Sequence, residues 1–75
     1  MRIQFDQQME RLHVELIRMG SLCEEGIALS AKALQEKNPA FLQRIAAVEV
    51  EIDDKEREIE DLCMRLILQQ QPVAR

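Results

Sequence analysis

An all-α fold, an antiparallel two-helix hairpin, is predicted by three features of this 75-residue sequence. Apolar residues recur at steps of three and four along two long stretches. The two stretches are separated by a single punctuation, Asn38-Pro39. The composition, 47% apolar and 32% charged with only two Gly and two Pro, is that of a folded helical chain rather than a disordered or Pro/Gly-rich one.

The first helix is expected at about 4–36. Its steps run through Phe5, Met9, Leu12, Leu16, Met19, Cys23, Ile27, Ser30 and Leu34, with no proline between Asp6 and Lys37. Gly20 and Gly26 interrupt good helix formers, and each costs up to about 1 kcal/mol relative to Ala. They therefore point to close approach by another helix. At the junction, Asn38 suits an N-cap, Pro39 suits the first helical position, and Lys37 suits the negative end of the helix before it.

The second helix is expected at about 39–70, with Pro72 ending it. Phe41, Ile45, Val48, Ile52, Ile59, Leu62 and Leu66 form its apolar stripe. Val14, Ile17, Leu22 and Leu29 of the first helix lie off the expected seam, so the apolar surface exceeds what two helices can cover. A chain below about 70 to 80 residues seldom suffices as its own core. The hairpin is thus expected to be part of a larger bundle, completed by oligomerisation or by further helix.

Composition also excludes function classes. A net charge of -4, two aromatic residues and no Trp or Tyr argue against a direct nucleic-acid partner. No apolar run approaches the ~20 residues of a membrane helix, so no membrane insertion is expected. Cys23 and Cys63 form no CxxC, and no apolar leader follows Met1-Arg2. Both cysteines are expected as reduced thiols in a cytoplasmic protein. Met9, Met19 and Met64 read as core filler.

Between Glu49 and Asp61 the run EVEIDDKEREIED carries eight carboxylates against Lys55 and Arg57. Glu49, Asp53, Glu56 and Glu60 recur at steps of four, three and four, about 90° round from the apolar stripe. Such a run is ordinarily a hydrated face. Glu49 and Asp53, at i and i+4, are the candidate metal ligands, with Glu56 and Glu60 the weaker candidates, because adjacent carboxylates repel unless a cation intervenes. Glu10 and His13 match the ExxH spacing of ferritin-like metal bundles. Glu10 nevertheless points away from the stripe, which leaves His13 as a flanking, solvent-touching side chain. Ser21 and Ser30 have no base at a suggestive spacing and no phosphate loop is present, so no enzyme is expected.

Several of these residues together carry a family resemblance. Phe5-Asp6, Leu12-His13, Leu16, Met19-Gly20, Ala33-Leu34, the ExxxD of Glu49 and Asp53, and the closing Gln71-Pro72-Val73-Ala74-Arg75 resemble the first two helices of PhoU proteins. The resemblance covers essentially the whole chain, 1–75, as a partial bundle whose third helix is missing. It implies three-helix bundles and a cytoplasmic negative regulator of the phosphate-starvation response. Such a regulator is an adaptor between the phosphate ABC transporter ATPase and its sensor histidine kinase. It also implies metal binding through E/DxxxD motifs, with Mg, Mn or Fe as the ion, and Glu49 and Asp53 would supply one half of such a site. The alternatives left by the residues themselves are a ferritin-like metal-binding bundle and a purely structural self-associating hairpin.

Overall fold

The computed structural model describes residues 2–70. Helix α1 spans Arg2–Glu36 and helix α2 spans Ala40–Gln70. No strand occurs among the described residues. Pro72 and the Gln71–Arg75 motif lie outside them. Cross-helix ion pairs couple Arg11 to Glu58, Glu15 to Lys55 and Glu25 to Arg44. One partner number rises as the other falls, so the helices are antiparallel. They form a rod of 60 × 20 × 13 Å.

Three residues reverse the chain. Lys37 adopts φ 53°, the left-handed conformation that closes many helices, and its N–H donates to the Ala33 carbonyl at 3.0 Å. The Asn38 side-chain oxygen then accepts the Ala40 N–H at 3.0 Å, as an N-cap does. Pro39 follows where its missing N–H costs nothing. The Phe41 and Leu42 N–H groups donate to the Asn38 and Pro39 carbonyls and start α2.

The seam of α2 runs through Phe41, Ile45, Val48, Ile52, Lys55, Ile59, Leu62 and Leu66, all buried or half-buried at alternating steps of four and three. Val48, Leu62 and Leu66 are its most deeply buried members. This is the expected stripe with Lys55 added in the gap between Ile52 and Ile59.

The seam of α1 differs from the expected one. It runs through Phe5, Gln8, Leu12, Glu15, Met19, Leu22, Gly26, Leu29 and Ala33. Leu22 and Leu29 therefore lie on the seam, not off it. Met9, Leu16, Cys23, Ile27, Ser30 and Leu34 are exposed. The reason is that α1 carries two apolar stripes side by side, and the one facing α2 contains two polar residues. Glu15 is only 5% exposed because Lys55 neutralises it across the seam, while Gln8 sits there with an unpartnered side-chain oxygen. Ranking the stripes by hydrophobicity selects the other one. Met9 and Met64 are likewise exposed rather than core filler, and Met19 is half-buried.

The two glycines have separate roles. A Cβ built on Gly26 would meet Val48 Cγ1 at 3.6 Å, an ordinary contact, so α2 does pass close there. Gly26→Ala is expected to stabilise the hairpin by up to about 1 kcal/mol through helix propensity, read as a higher urea midpoint. A lowered midpoint would mean that α2 approaches more tightly than that contact allows. Gly20 has nothing within 4 Å, so whatever approaches it is not α2.

Candidate docking flank and carboxylate ridge

The seam has two flanks of different chemistry. On one, charged residues lean across from helix to helix: Arg44 Nη2 lies 2.6 Å from Glu25 Oε2 and Arg11 Nη2 lies 3.7 Å from Glu58 Oε2. Between them, Lys55 Nζ donates to Glu15 Oε1 at 2.6 Å and to Glu58 Oε1 at 2.9 Å, and Arg18 Nη1 donates to Glu15 Oε2 at 3.1 Å. Five charges thus form one chain across the middle of the hairpin. The hydrogen bond from Lys55 holds the Glu15 carboxyl below its ordinary range, aided by the charges of Lys55, Arg18 and Arg11 and opposed by desolvation. The hydrogen bonds to Glu15 and then Glu58 raise the Lys55 ammonium above its ordinary value, again against desolvation. Beside this chain, Leu22, Glu51, Asp54, Lys55 and Glu58 line an open hollow.

The other flank has no ion pair among the described residues. On α1 it carries the second apolar stripe, from Met9 through Leu16 and Ile27 to Leu34, with Gly20 and Cys23 midway. On α2 it carries Leu42 at one end, Cys63 and Ile67 at the other, and Glu49, Asp53, Glu56 and Glu60 between. Both sets lie to the same side because each follows its seam by one residue, away from the side bridged by Arg11, Glu25, Arg44 and Glu58. Ile27 is 71% and Leu34 80% exposed. Apolar surface of this kind is ordinarily covered by another element.

The four ridge carboxylates are exposed and pair with no Lys, Arg or His among the described residues. No group of three or more His, Cys, Asp or Glu side chains converges in a metal-holding arrangement among those residues. As hard oxygen donors Glu49 and Asp53 suit a hard cation, yet one helix supplies only part of the six or so ligands such an ion takes. His13 is exposed on the open flank and Glu10 is exposed as well. Ser30 Oγ donates to the Gly26 carbonyl at 2.8 Å, which satisfies it within its own helix. Both cysteines are free.

The pair of buried Glu15 and half-buried Lys55 is the feature not foreseen from the sequence. Its signal was present: Glu15 stands at steps of three and four from Leu12 and Met19, and Lys55 stands likewise between Ile52 and Ile59.

No helix among the described residues is long and apolar enough to cross a membrane. No solved structure matches the chain. The chain is similar to several relatives named phosphate-specific transport system accessory protein PhoU homolog. The one from Clostridium acetobutylicum is 39% identical over 92% of this chain and 32% of its own length. The one from Synechocystis is 38% identical over 97% of this chain and 33% of its own, and that from Pseudomonas putida 31% over 95% and 28%. The chain thus spans about a third of the length of these relatives. The PhoU domain model matches residues 16–75. With four-fifths of its residues inside that match, and the two-helix hairpin to accompany it, the chain belongs to the PhoU family.

Proposed function

We propose that this hairpin serves as a regulatory accessory element of phosphate-specific transport and acts by protein contact rather than catalysis. The observation that carries the reading is the open flank, an apolar stripe beside unpaired carboxylates, in a chain whose relatives bear the name of a transport accessory protein. A surface of that kind does its work by being covered. The finer reading is a cytoplasmic adaptor and negative regulator of the phosphate-starvation response, touching the sensor kinase and the transporter ATPase. The hairpin is further read as part of a larger bundle, completed by self-association.

The test is expression of the chain in a bacterium lacking its own PhoU protein, with a phosphate-starvation reporter. Restored repression in phosphate-replete medium supports the reading. Unchanged derepression, with the folded chain present in the cell extract, overturns it.

Glu49 and Asp53 are proposed to contribute half of a site for Mg, Mn or Fe, with Glu56 and Glu60 as subsidiary ligands. When bound, the ion would offset repulsion along the ridge and tie α2 to whatever covers it. Binding to the folded state raises the melting temperature by mass action. Millimolar Mg²⁺ or Mn²⁺ is therefore expected to raise the melting temperature of the parent chain and not that of a Glu49→Gln, Asp53→Asn variant. Equal responses would reduce the ridge to a hydrated face, whose neutralisation stabilises the helix by a few tenths of a kcal/mol per like-charged pair, roughly.

A further inference from the structure

We draw no further inference here: the strongest candidate, the exposed apolar stripe of α1 from Met9 through Leu16 and Ile27 to Leu34, is an unpartnered helix face, and nothing in the structure shows what covers it.

Discussion

Lys55→Met is expected to lower the melting temperature more than any substitution of an exposed ion-pair residue such as Arg65. The Arg65–Asp61 pair stands in water and contributes little. Glu15 is 5% exposed, and removing Lys55 takes away its closest cation, leaving the Arg18 contact at 3.1 Å and the more distant charge of Arg11. An uncompensated buried charge is costly, whereas removing both charges together is often neutral. Glu15→Leu combined with Lys55→Met is therefore expected to recover most of the loss, and circular dichroism melts of the three variants at pH 7 measure it. If Lys55→Met melts like the parent chain, the pair does not hold the seam together.

The same pair sets a pH dependence with two edges. Glu15 has a lowered pKa in the folded state, so its contribution is present above about pH 4.5 and fades as pH falls through the lowered value. Lys55 has a raised pKa, so its contribution is complete below about pH 10.5 and fades as pH rises through the raised value. Between the two the pair contributes evenly, and the double apolar variant is expected to lose both edges.

Leu62→Ala is expected to destabilise the hairpin by about 2–5 kcal/mol, the range for truncating a buried leucine. Leu62, Val48 and Leu66 are the deeply buried apolar residues of the seam, so little else can collapse into the gap. Leu68→Ala, further along the same helix and 61% exposed, is expected within about 0.5 kcal/mol of the parent. Urea denaturation at one fixed protein concentration separates the two, since association would make stability depend on concentration. A Leu62→Ala midpoint equal to that of Leu68→Ala would mean that the seam is not the core.

The elements of the hairpin were legible in the sequence because each carries its own punctuation. Asn38 and Pro39 announce a helix start through their hydrogen-bonding and backbone restrictions, and α2 has a single apolar stripe that can face only one way. The ridge of Glu49, Asp53, Glu56 and Glu60 was equally legible, since its position follows from the turn of the helix alone. The facing of α1 was not. Its two stripes differ in that one contains Glu15 and Gln8, and local hydrophobicity penalises a charge whose partner lies 40 residues further along the chain. Only the packed pair makes Lys55 part of the same layer. A charged gap of opposite sign in the apolar stripe of each helix, Glu15 in one and Lys55 in the other, is the pattern that would have disclosed it.

The three-residue turn from Lys37 to Pro39 also orders events in time. The seam residues nearest it, Ala33 and Phe41, close the shortest loop, whereas Phe5 and Leu66 must wait for almost the whole chain to align. Helix formation and short-loop closure are microsecond events or faster, so the hairpin zips outward from its capped turn. The Glu15–Lys55 layer lies midway along that path and forms after the turn has fixed which residues stand opposite. Its two charges arrive already matched, and a slipped alignment would carry an unpaired carboxylate into the seam at the moment water leaves it. The turn sets the pace of closing; the polar layer decides which of the trial alignments is kept.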